Sequence, residues 1–175
     1  LNSLEGKRGK IMIFSSIFFV FAYLPIVLFL YYLVPFKFKN LVLLLVSLVF
    51  YAWGEPVYVV LMLFSIAINF VSGLELEYFM DRGEMRKAKY ACIVTAAINL
   101  GALGFYKYYG FVIENLNAIL PFDIPYTKLS LPIGISFYTF QTMSYVIDVS
   151  RGKVTAQPTP ITLGAYVSMF PQLIA

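Results

Sequence analysis

Uncharged stretches of helix length recur along this chain between short polar intervals, and the first of them, Ile11 to Phe36, contains no Asp, Glu, Lys or Arg. Taken as helix at about 1.5 Å per residue, residues 11–33 extend roughly 34 Å, against a bilayer hydrocarbon core of about 30 Å. That length predicts one crossing with a modest tilt, kinked at Pro25. Further apolar stretches predict spans over about 40–54, 57–73, 90–106, 131–149 and 161–175. The expected fold class is all-α, a polytopic transmembrane helix bundle with five complete spans and the start of a sixth.

The intervals carry their own signals. Trp53-Gly54-Glu55-Pro56 combines an interfacial aromatic, a flexible residue and a helix-start proline, which predicts a tight hairpin, with a re-entrant pair as the alternative. Leu74 to Lys89 holds eight charges, four of each sign, and reads as a solvated loop or surface helix. Its Glu75, Glu77, Asp81 and Glu84 are interleaved with Arg82, Arg86, Lys87 and Lys89, the pattern of a solvated face rather than of a metal cluster. Lys107 to Leu129 reads as a connector, with an interfacial helix over Gly110 to Leu120.

Within the spans, Asn69 and Asn99 need hydrogen-bond partners in hydrocarbon and so face protein. Ala97, Gly101 and Gly104 form a small-residue face suited to close helix packing. The stretch 131–149 is unusually polar for a span, with Ser136, Tyr138, Thr139, Gln141, Thr142, Ser144 and Tyr145. Tyr138, Gln141 and Tyr145 recur at i, i+3 and i+7, one helical face. They are candidates to line a tunnel or to hydrogen-bond neighbouring helices.

Composition agrees with a lipid solvent. Of 175 residues, 61% are apolar or aromatic and 13% charged, where a soluble domain carries about 25% charged residues. Mean hydropathy is +0.81. The net charge of +4 and pI near 9.1 fit basic loops beside anionic headgroups and call for no nucleic acid. With the 54–56 joint a true turn, alternating spans put five Lys and Arg on the N-terminal side and eight on the other, which favours an external N-terminus; a re-entrant joint inverts the parity.

Candidate chemistry is sparse. Cys92 is the single cysteine, so no intrachain disulfide and no Cys-based metal site can form. Histidine is absent, which removes the commonest general base and metal ligand. No phosphate-binding glycine loop, nucleophile elbow or paired-cysteine motif occurs. Neither a catalytic nor a metal-ligating residue is assigned. The first Met is Met12, at the head of the first span, so residues 1–11 are expected to be an upstream or non-native segment. The chain stops within an apolar stretch at Leu173-Ile174-Ala175, as a fragment of a longer protein would.

Leu131-Pro132-Ile133-Gly134-Ile135-Ser136-Phe137-Tyr138-Thr139-Phe140-Gln141, continuing through Tyr145-Val146-Ile147-Asp148-Val149, resembles the core signature of membrane-bound O-acyltransferases (MBOAT), in the branch of the alginate O-acetylation proteins. Met12-Ile13-Phe14-Ser15-Ser16, Phe50-Tyr51-Ala52-Trp53-Gly54 and Tyr106-Lys107-Tyr108-Tyr109 are similar to other stretches of that branch. The resemblance implies the N-terminal part of a ring of tilted helices around a tunnel. It also implies transfer of an acetyl or other short acyl group to hydroxyls of an exported polysaccharide such as alginate.

The implied donor is a substrate, acetyl-CoA or another acyl thioester, with no bound cofactor. The implied partners are membrane lipid and the proteins of polysaccharide acetylation, and the location is the inner (plasma) membrane. The family's catalytic histidine lies downstream of the matched region, so no catalytic residue carries over, and these residues alone are expected to be inactive. The rival readings are a transporter or channel subunit and a non-catalytic membrane scaffold. Against the first, the apolar stretches hold a single charge, Asp148, one residue from the end of 131–149.

Overall fold

A computed structural model of the chain describes residues 19–54, 56–120, 125 and 134–169. Regular structure among the described residues is helical throughout. The helices are α1 (Leu24–Leu33), α2 (Lys39–Gly54), α3 (Tyr58–Asp81), α4 (Met85–Ile119), α5 (Ile135–Ser150) and α6 (Pro160–Ser168). A π-helical turn, Phe19–Tyr23, precedes α1, and a 3-10 turn, Phe36–Phe38, precedes α2. Phe36–Trp53, α3 and α4 are long and apolar enough to cross a bilayer. Residues 1–18, 55, 121–124, 126–133 and 170–175, on which the expected upstream segment and parts of the first, fifth and sixth spans, of the joint and of the connector fall, lie outside the described residues.

At Pro25, where a kink is expected, the helix changes type. Pro25 lacks an N–H and its ring collides with the carbonyl four residues back. The wider π turn ends at Tyr23, and α1 begins with the proline in its first turn, where no hydrogen bond is forfeited. A second expectation is corrected. The charged segment Leu74 to Lys89 is not one loop, because α3 runs on to Asp81 and α4 starts at Met85. Only a short turn separates them, closed by Gly83 at φ 72°. A third correction concerns the connector. Its first part is a direct continuation of α4, unbroken to Ile119, and no separate interfacial helix starts at Gly110.

The chain divides into two compact units. In the first, residues 1–66 and 157–175, the core forms where Phe19, Val27 and Phe50 bury against Tyr23, Leu24 and Val46. The Phe19, Tyr23 and Phe50 rings meet with centroids 5.2 to 5.4 Å apart, and the Tyr23 hydroxyl donates to the Val46 carbonyl at 2.7 Å. Helices α2 and α6 pack where Gly164 lets Leu44 approach. A Cβ at that position would lie 3.0 Å from Leu44 Cδ1. Thr159 caps α6, its hydroxyl oxygen accepting from the Thr162 N–H at 3.3 Å. Lys39 sets its ammonium 4.7 Å from the Tyr31 ring centroid and 5.7 Å from that of Phe36, a cation–π anchor at the α1–α2 turn.

The second unit, residues 67–156, holds the C-terminal part of α3 with α4 and α5. Along α4 the buried positions are Ala88, Thr95, Asn99 and Leu103, a single stripe at helical spacing. Cys92 is half-buried beside it. Exposed Ile93, Val94, Ile98 and Leu100 occupy the rest of the helix, which suits a lipid surrounding.

Candidate functional site: the polar faces of α3, α4 and α5

Helix α5 starts at Gly134, whose φ of 77° is open to glycine and whose carbonyl accepts from the Tyr138 N–H at 3.0 Å. From there Ile135, Tyr138, Thr139, Thr142, Tyr145, Val146 and Val149 are buried, one stripe in which four hydroxyl-bearing residues lie between aliphatic ends. Of the three candidate tunnel residues, Tyr138 is 1% exposed and Tyr145 8%, while Gln141 is half-buried beside them.

Tyr145 reaches α3. Its phenol ring occupies the space that a side chain at Gly73 would need, so the two helices touch through a glycine. Thr142 turns its single proton inward, shared between the carbonyls of Tyr138 at 2.9 Å and Thr139 at 3.0 Å. Part of the polarity of α5 is thus spent on its own backbone.

Across α3 and α4 the two intramembrane asparagines find each other. Asn69 Nδ2 donates to Asn99 Oδ1 at 3.0 Å, and Asn99 Nδ2 donates to Asn69 Oδ1 at 2.9 Å. The second Asn99 N–H goes to the Thr95 carbonyl at 2.9 Å, so both of its donors are used. One turn along, Thr95 Oγ1 lies 2.8 Å from Ser72 Oγ and 2.9 Å from the Ala91 carbonyl. Thr95 donates to both, its single hydroxyl proton shared between the Ser72 hydroxyl and the Ala91 carbonyl.

The Ser72–Thr95 pair was not anticipated. Its signal lay in spacing: Ser72 follows Asn69 by three and Thr95 precedes Asn99 by four, which puts each on its asparagine's face. No three His, Cys, Asp or Glu side chains converge as a metal site would require among the described residues.

No protein-family model matches the chain, and no solved structure matches it. Its curated relatives are more informative. The chain is 41% identical over 170 residues to the probable alginate O-acetylase AlgI of Pseudomonas aeruginosa and 39% identical to that of Azotobacter vinelandii. Each alignment covers 94% of this chain. A peptidoglycan O-acetyltransferase of Helicobacter pylori is 30% identical over 96% of the chain. The chain spans about a third of the length of these relatives, 32%, 33% and 37% in turn. Over nearly all of its own length this membrane protein is a homologue of the alginate O-acetylases, as the motif at 131–149 implies.

Proposed function

We propose that this chain is the membrane-embedded N-terminal portion of an O-acyltransferase that moves an acetyl group from an acyl thioester, acetyl-CoA or an equivalent, to hydroxyls of an exported polysaccharide such as alginate. The observation that carries this reading is 41% identity to an alginate O-acetylase sustained over 94% of the chain. In the reaction, the acceptor oxygen bonds to the thioester carbonyl carbon, the carbon–sulfur bond breaks, and the thiol departs. A general base must take the hydroxyl proton. The chain has no histidine. The base is therefore assigned to polypeptide beyond this sequence, and these residues alone are inactive.

What they supply is wall. Tyr138, Gln141 and Tyr145 on α5 line the donor or acceptor route, whose exclusion of water protects the thioester from hydrolysis. The protein resides in the inner membrane. Arg82, Arg86, Lys87 and Lys89 face the cytoplasm together with Arg151 and Lys153, since the ends of α3 and α5 share one cleft. Partners are the proteins that export and acetylate the polymer.

Deleting the full reading frame and measuring O-acetyl content of surface polysaccharide by mass spectrometry tests the reading. Loss of O-acetyl groups, restored by the intact gene, is expected. Unchanged O-acetylation would sink it.

A further inference from the structure

Where α3 ends, a cleft of about 220 Å³ opens between that helix and the segment following α5. Glu77, Met80 and Asp81 line it from α3, and Lys153, Val154 and Thr155 line it from the segment. Glu77 and Asp81 are four residues apart and share a helical face. One oxygen of Glu77 accepts the Ala156 N–H at 3.3 Å, which fastens the second wall to the first. Asp81 and Lys153 border the same space with opposite charges, yet neither is ion-paired with the other or with any described residue. The pair that does form nearby is Lys87–Glu84 at 2.7 Å. The cleft thus has a negative wall and a positive wall, held apart.

Its depth follows from the asparagine pair. Asn99 stands ten residues after Lys89 and eight before Lys107, roughly 15 Å and 12 Å along α4 at 1.5 Å per residue, which puts the pair near mid-bilayer. On α3, Glu77 and Asp81 lie eight and twelve residues beyond Asn69, roughly 12 Å and 18 Å from the same level. The hydrocarbon half-thickness is about 15 Å. The cleft straddles the boundary where lipid headgroups begin.

We propose that this cleft binds a zwitterion bearing a primary ammonium and a phosphate, the chemistry of a phosphoethanolamine group. The ammonium, with three N–H donors, is held by the Asp81 and Glu77 carboxylates, and the phosphate by the Lys153 ammonium and the Thr155 hydroxyl. A quaternary ammonium has no N–H to give the carboxylates, and an anionic glycerol headgroup has no cation for them. The volume is below the roughly 300–1,000 Å³ of drug-sized sites and suits a headgroup. At this depth the supply is the bilayer itself, a phosphatidylethanolamine headgroup, with free phosphoethanolamine as the other source of the same chemistry.

The test is native mass spectrometry of the full-length protein in detergent, offered equal amounts of phosphatidylethanolamine, phosphatidylcholine and phosphatidylglycerol. Calorimetry with soluble O-phosphoethanolamine runs in parallel. Preferential retention of phosphatidylethanolamine is expected. It should fall about five- to tenfold in Asp81→Asn and in Lys153→Gln, and stay unchanged in Arg151→Gln, a neighbouring cation that does not line the cleft. Binding of the soluble zwitterion without lipid preference, lost in the same two variants, supports the same site with the free molecule as its ligand.

Circular dichroism of each variant reports the fold separately; both side chains are exposed, Asp81 at the last residue of α3 and Lys153 in the segment after α5. Equal retention of all three lipids with no soluble binding, or a preference that survives both substitutions, overturns the proposal. It does not depend on acyl transfer, so O-acetylation and lipid retention fail independently.

Discussion

Replacing Asn99 with Leu removes both Asn69–Asn99 hydrogen bonds and the bond to the Thr95 carbonyl, and leaves the Asn69 amide facing an apolar neighbour. Hydrogen bonds between membrane helices average about 0.6 kcal/mol each. Two of them give about 1.2 kcal/mol, and a buried polar group that loses one of its partners adds about 1–3 kcal/mol. The expected loss for Asn99→Leu is therefore about 2–4 kcal/mol, and Asn69→Leu should lose a similar amount from the other side. The double variant, with two apolar groups in contact, should lose far less than the sum.

A double-mutant cycle reads this as a coupling energy of about 3 kcal/mol or more, since each single variant strands an amide and the double strands neither. Reversible unfolding by SDS titration in mixed micelles, followed by circular dichroism, supplies the four stabilities. Losses that simply add, with coupling below about 0.3 kcal/mol, would refute the paired geometry.

Gly73→Ala should lower the melting temperature sharply, because the new methyl meets the Tyr145 phenol, and Tyr145→Phe should recover part of the loss. Thermal melting of the two single variants and the double checks it. Ser47→Ala and Ser168→Ala should each raise stability by up to about 1 kcal/mol, since both hydroxyls are fully buried and unpartnered; unchanged or lowered SDS midpoints would contradict this. Thr159→Val should weaken the first turn of α6 by about 1 kcal/mol, seen as faster amide exchange at Thr162 and its neighbours while α2 is unaffected.

The periodic parts of this fold were readable in the sequence, and the parts set by capping and length were not. Helix α2 begins at Lys39, one residue before the uncharged stretch, because little competes with apolar length there. Helices α3 and α4 outran their apolar stretches because charge does not stop a helix. Leu74 to Asp81 contains no proline or internal glycine, and its charges can ride at the membrane edge while the backbone stays helical. Likewise the charge at Lys107, just past the expected span 90–106, does not end α4, which continues to Ile119.

The need of Asn69 and Asn99 for partners was legible from the cost of an unsatisfied amide in lipid. That they would satisfy each other was not, since pairing depends on helix register. The polar face of α5 was legible as a face. Its burial, and the share of it that Thr142 gives back to its own backbone, required coordinates.

Register is the link between the intramembrane polar groups and the charged cleft. Lipid is as apolar as Leu, so burial of Ile and Val exerts little preference for one sliding position of α3 along α4 over another. Hydrogen bonds do. Asn69 with Asn99 and Ser72 with Thr95 advance three residues on one helix and retreat four on the other, as an antiparallel pair must, and both close only in a single register. A slip of one turn, about 5.4 Å, would break all of them at mid-bilayer, where no water substitutes. The same slip would carry Asp81 toward the hydrocarbon or away from Lys153. Four small polar side chains near the membrane centre therefore fix the depth at which the charges of α3 meet the headgroups.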